Sequence, residues 1–195
     1  MKIRLRSCCT AIMAGALSLS PAQGETQSTR GIYEGIELGF KLCSTHIIGE
    51  GHLASEHADM LKGMGVELVE KIPQDIALST GPLFQPDPIF AKIETVGANL
   101  YIVTSPDNIA CRVIVADTSD ALRNRVRFVD ALRQTSTWTY DKRRSRTLNG
   151  EMREELTAAG GKLVAIMNGP NTVRDGGRGV QAALTVAAIP PRYLR

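Results

Sequence analysis

Two cysteines constrain this chain more than any other feature, because they become a matched pair once the first residues are read as a leader. Met1 to Arg6 is basic, and Cys8 to Leu19 (CCTAIMAGALSL) is a short run of apolar and small residues. Ser20 and Pro21 break that run, and Ala22-Gln23-Gly24 puts small residues where a signal peptidase reads. The pattern predicts a secretory signal over residues 1–24, cut before Glu25. The run falls short of the roughly 20 residues a membrane-spanning helix needs, and no later stretch is long and apolar enough to span. Cys8 and Cys9 leave with the leader. Cys43 and Cys111 remain, 68 positions apart, with one pairing open to them. An oxidising compartment favours that disulfide, which by chain entropy would stabilise the fold by roughly 4 kcal/mol. There is no CxxC motif, so the bond reads as structural. The short, basic-first leader points to a periplasmic or secreted protein.

The leader also distorts the charge balance. The chain of 195 residues carries 23 Lys+Arg and 20 Asp+Glu, but Lys2, Arg4 and Arg6 lie in the first 24 residues, which hold no acid. The remaining 171 residues therefore carry 20 bases against 20 acids. A neutral mature chain argues against general nucleic-acid binding, which needs a net basic surface. Hydrophobic content of 43% with 22% charged residues is that of an ordinary folded domain, and the length suits one domain, residues 25–195.

Within it, residues 25–30 are polar and expected to fray. Ile32, Ile36, Phe40, Cys43 and Ile47 recur at helical spacing and predict a helix over roughly 29–48. Gly31, Gly35 and Gly39 run beside that stripe, each disfavoured in a helix interior by about 1 kcal/mol; they imply close packing against another element. A second helix is expected from Ser55 to Lys71, stopped by Pro73, then a proline-rich loop over 73–90. Ile93 to Val103 reads as a strand with Gly97 as a bulge, and Cys111 to Ala116 as a short buried strand. Asp117 to Asp120 introduces a helix with Leu122, Val126, Val129 and Leu132 inward and Arg123, Arg127, Asp130 and Arg133 outward. Trp138 to Leu148 reads as a strand, Asn149-Gly150 as a two-residue hairpin turn, and Glu151 to Thr157 as the returning strand. Strands at 162–167 and 181–189 flank a glycine-rich loop. The expected fold is α+β: an antiparallel sheet of about five to six strands, helices packed on one face, an N-terminal helical pair and one disulfide.

Three segments carry possible chemistry. His46, His52 and His57 share a window with Glu50, Glu56 and Asp59. Imidazole and carboxylate suit zinc, so His46, Glu50, His52 and His57 are the ligands to test, although no metal motif matches and exposed polar residues are the plainer reading. The run DKRRSR, Asp141 to Arg146, is expected to pair across the hairpin with Glu151, Glu154 and Glu155 on a solvated face. The loop Asn168 to Val180 could present backbone N–H groups to an anion, helped by Arg174, Asp175, Gly176, Gly177 and Arg178; no P-loop lysine follows, and a plain strand connection is the default. No G-x-S-x-G nucleophile motif is present. Trp138 and Tyr140 alternate along one strand, for which core packing is the expected role.

The leader, Cys43 in FKLCSTHI, Cys111 in NIACRVIVAD and the hairpin TWTYDKRRSRTLNGEM together resemble small one-disulfide exported proteins of proteobacteria, a resemblance that brings no active site with it. The strand and helix order is also similar to profilin-like or PAS-like sheets, which concerns fold alone. The leading expectation is an exported non-catalytic domain that binds a protein partner or envelope component, without cofactor, nucleic acid or membrane span. The alternatives are a small metal-dependent hydrolase using the His46–His57 window, and an inhibitor or immunity protein for an exported enzyme.

Overall fold

The computed structural model describes residues 30–49, 53–84, 87–105, 107, 109–158 and 160–189. The expected leader lies outside them. The first element is the glycine-flanked stripe, now helix α1 (Ile32–Ile47), which buries Ile32, Ile36, Leu42, Cys43 and His46. Two of its three glycines permit that burial. A Cβ on Gly39 would stand 2.7 Å from Val113 Cγ2, and one on Gly35 would stand 2.6 Å from Thr95 Cγ2 and 2.7 Å from Leu100 Cδ2. Gly31 is instead the residue that precedes the helix.

The second expected helix does not run to Lys71. A 3₁₀ turn (Ser55–His57) leads into a short helix α2 (Ala58–Gly63), and the chain then becomes strand β1 (Val66–Val69). The apolar spacing that looked helical is two elements end to end. Val66 and Val69 are β-branched, and the segment pairs along its length with β2 (Ile89–Ile93). The stretch from 93 to 103 likewise divides. β2 ends at Ile93, Gly97 falls in the turn, and β3 (Asn99–Thr104) returns. β4 (Ala110–Ala116) and helix α4 (Ala121–Arg133) follow. The expected strand 138–148 is interrupted by a loop into β5 (Trp138–Tyr140) and β6 (Arg146–Leu148), and β7 (Glu151–Ala158), β8 (Leu163–Pro170) and β9 (Val180–Ala188) complete the chain. Asn149 and Gly150 join β6 to β7 with φ of 50° and 78°, the two positive values that the two-residue turn requires.

Among the described residues the strands form one sheet of nine rather than five to six, in the order β1-β2-β3-β4-β9-β8-β7-β5, with β6 also on β7. Every pairing is antiparallel. The chain builds one half as a meander, crosses over through α4, and builds the other half inward, so that its last strand seals against β4.

Elements pack on both faces of the sheet, fully on one and over half of the other, which corrects the expectation of helices on one face. Side chains alternate along a strand. On β3 and β4, Leu100, Ile102, Cys111, Val113 and Val115 meet α1 and share a core with Phe128, Val129 and Leu132 of α4. Tyr101, Val103, Ala110, Ile114 and Ala116 point the other way, onto Ile72, Ile76 and Phe84. The expected proline-rich loop thus contains a short helix α3 (Gln74–Leu78) and a 3₁₀ turn (Pro82–Phe84) that roof this half of the second face. Arg112 fastens the roof. Its guanidinium donates to the Ser79 and Thr80 carbonyl oxygens at 3.1 and 2.8 Å and to Thr185 Oγ1 at 2.8 Å, and lies 4.9 Å from the Phe84 ring centroid.

Cys43 and Cys111 are bonded, with Cα atoms 5.2 Å apart, an ordinary span for a disulfide. The bond ties α1 to β4, both fully buried there. Phe40 packs against both Phe128, edge to face, and Trp138, at a tilt, with ring centroids 5.3 Å apart in each pair. Trp138 therefore has the core role expected of it.

Candidate functional site

The second face of the sheet is roofed over β1–β4 and open over β7 and β8. Across this open part lies a groove of about 910 Å³. Its floor is Val164 and Ile166 of β8, with Thr157 of β7 and Ala188 and Ile189 at the end of β9. Its rim is Asp141, Arg143, Arg144 and Arg146, together with Arg153 and Glu155.

The rim is shaped by its own side chains. Asp141 Oδ1 accepts from the backbone N–H of Arg143 at 2.9 Å and of Arg144 at 3.2 Å, folding the chain after β5 into a turn. The Asp141 N–H donates to the Glu155 carbonyl at 2.9 Å, and Ser145 Oγ accepts from the Glu155 N–H at 3.0 Å. The loop is thus stitched to the middle of β7, between the stretches that pair with β5 and with β6.

The Glu155 carboxylate, whose side chain is only 4% exposed, receives Arg144 Nη1 on one oxygen at 2.9 Å and Arg153 Nη2 on the other at 2.8 Å. Arg144 also lies 3.6 Å from Asp141. Of the three acids expected to balance the basic run, Glu155 alone does so. Glu154 points to the opposite face, where Arg133 meets it at 3.2 Å, and Glu151 pairs with Arg174. The alternation of strand side chains separates Glu154 from Glu155, and sequence proximity alone hides that. Among the described residues, Arg143 and Arg146 have no acidic partner. Moreover, Arg146 and Arg153 stand directly opposite each other in the β6–β7 register, an arrangement of like charges that destabilises a sheet. The groove carries four guanidinium groups against the carboxylates of Asp141 and Glu155. Chemically it is an anion-accepting surface with an apolar floor. Among the described residues its lining includes no imidazole, thiol or serine hydroxyl.

The other sequence candidates fall elsewhere. His46 is buried on α1, and His57 lies in the 3₁₀ turn with Nε2 3.7 Å from Glu56. Glu50 and His52 lie outside the described residues. Among the described residues, no three histidine, cysteine or acidic side chains are grouped to hold a metal ion. In the 168–180 loop, several N–H groups donate within the protein: Arg174 to Gln181 Oε1 at 3.1 Å, Gly177 to the Arg174 carbonyl at 2.6 Å, and Gly179 to Asp117 Oδ1 at 2.9 Å. Gln181 Nε2 in turn donates to the carbonyls of Arg174 and Arg178, at 3.2 and 2.6 Å. Asp175 and Gly176 form the left-handed tip of this loop, and Gly177 is buried against Thr118 and Ser119. These interactions fasten the loop to the protein's own surface.

A smaller hollow of about 410 Å³ lies between α2 and the edge strand β1, lined by Asp59, Lys62, Glu67 and Glu94. Its charged groups are three carboxylates and one ammonium. No helix of the described residues is long and apolar enough to cross a membrane. No family model matches the chain, and no curated protein or solved structure matches it either.

Proposed function

We propose that this protein is an exported, non-catalytic domain that binds a protein partner through the arginine-rimmed groove on the open face of its sheet. The observation that carries this reading is the charge of that groove: two guanidinium groups beyond what its own acids balance, above a partly buried apolar floor. Binding sites of this volume with a few directed polar groups are the usual home of a ligand. The basic leader and the Cys43–Cys111 bond support an oxidising, extracytoplasmic setting, with mature protein beginning at Glu25. The hydrolase and inhibitor readings draw on the histidine window and the 168–180 loop, and no observation among the described residues favours either.

The test is site-specific photocrosslinking in the producing cell. A crosslinker replacing Arg143 at the groove should yield a discrete adduct in the extracytoplasmic fraction, and one replacing the exposed Val126 of α4 should not. No adduct, or the same adduct from both positions, would refute the groove as the working surface. Intact-mass measurement on the same fraction should show a chain beginning at Glu25, and an uncleaved cytoplasmic chain would refute export.

A further inference from the structure

We infer that the groove's ligand is an acidic peptide segment of the partner, with apolar side chains between its carboxylates; this rests on the partner-binding reading above. The first reason is electrostatic. Arg146 and Arg153 oppose each other across β6 and β7, and Glu155 engages Arg153 and Arg144 only. A carboxylate placed between Arg143 and Arg146 would relieve that repulsion, and a guanidinium fork matches a carboxylate bidentately. The second reason is the floor. Val164 and Ile166 are only partly buried there, in line with Thr157 and Ile189. A strand-like segment rises about 3.3 Å per residue with alternating side chains, so it can set apolar groups on the floor and acids on the rim.

Other anions fit less well. Among the described residues the groove's lining holds no aromatic ring on which a nucleic-acid base would stack, and it includes the acids Asp141 and Glu155. A simple inorganic anion would leave the apolar floor uncovered.

The experiment uses the oxidised protein purified from its export compartment. The probe is a fluorescent peptide of about eight residues carrying four glutamates and two leucines, followed by anisotropy and by the methyl NMR signals of Val164 and Ile166. Saturable binding should shift both methyl signals and weaken with added salt. Charge reversal in R143E/R146E, both at exposed positions, should weaken it by about tenfold or more. A glutamine-for-glutamate peptide should not bind, and a serine-for-leucine peptide should bind several-fold more weakly. Equal binding to wild type and R143E/R146E would overturn the inference, as would indifference to the leucines. Binding of anionic vesicles or of inorganic phosphate in preference to the peptide would overturn it in favour of those ligands. Groove crosslinks in cells without peptide binding would remove this inference and leave the partner reading standing. Peptide binding without crosslinks would overturn the partner reading, and with it the inference that the segment belongs to a partner.

Discussion

Three charged side chains hold positions that their chemistry makes expensive. Arg125 of α4 is 0% exposed. Its Nη1 donates to the Pro170 carbonyl at 3.1 Å and its Nη2 to Met152 Sδ at 3.0 Å, while Nε has no acceptor among the described residues. Burial pulls its guanidinium, and that of Arg112, below the ordinary arginine value; Glu154 pulls Arg125 back up. Burial also pushes the Glu154 carboxyl up, with Arg133 and Arg125 opposing the rise and Asp130 adding to it. A carboxyl that holds its proton more tightly folded than unfolded makes stability fall as pH rises from the ordinary value of 4.5 to its raised folded value. Glu154→Gln should remove that slope. In denaturant titrations across this range, the advantage of wild type over E154Q should shrink as pH rises, then level off; a constant difference would refute the assignment. Arg125→Ala should lower stability by about 3 kcal/mol, from lost packing and buried hydrogen bonds. Arg127→Ala, which loses only a stack over Tyr33 at 3.9 Å, should lose about 1 kcal/mol or less. Similar losses in the two variants would mean that the buried face of α4 is misassigned.

At the scale of elements, α1 shows how local pattern becomes packing. Its apolar period and its glycines were legible in the sequence, and Gly35 and Gly39 do let it sit directly on β2–β4 side chains and the turn after β2. Gly39→Ala should lower stability by about 1–3 kcal/mol through the clash with Val113 and Ile93. Gly31→Ala, at the helix N-cap and away from the sheet, should lose about 0.5–1 kcal/mol. Replacing both Cys43 and Cys111 by alanine should lower it by about 2–4 kcal/mol, read from the shift in denaturant midpoint. The other helix was harder to read. Leu122, Val126, Val129 and Leu132 were expected inward, yet the buried face is Ala121, Arg125, Phe128, Val129 and Leu132, and Val126 is 42% exposed. The spacing of the true face is regular, but an arginine sits in it, and hydrophobic periodicity counts an arginine as surface. Arg112 in the middle of CRVIVA misleads in the same way. The break at Met64–Gly65 was hidden because the helix and the strand on either side share one apolar rhythm, and that at 141–145 because strands lie on both sides of it.

For the molecule as a whole, the arrangement of the two sheet halves creates the candidate site. β4 and β9 meet although about seventy residues separate them in the chain. That closure leaves α1 and α4 on one face, and the 72–84 segment on half of the other. The uncovered remainder becomes the groove. By itself, the sequence determined the candidate disulfide, the hairpin at Asn149-Gly150, the apolar face of α1 and the α+β antiparallel class, since each depends on residue chemistry or on neighbours a few positions away. Only the tertiary structure decided that there are nine strands, that Arg125 lies inside, and that Glu155 but not Glu154 faces the basic run. Those outcomes depend on which side of a pleated strand a residue takes and on which distant strand it meets, and both are settled by long-range packing.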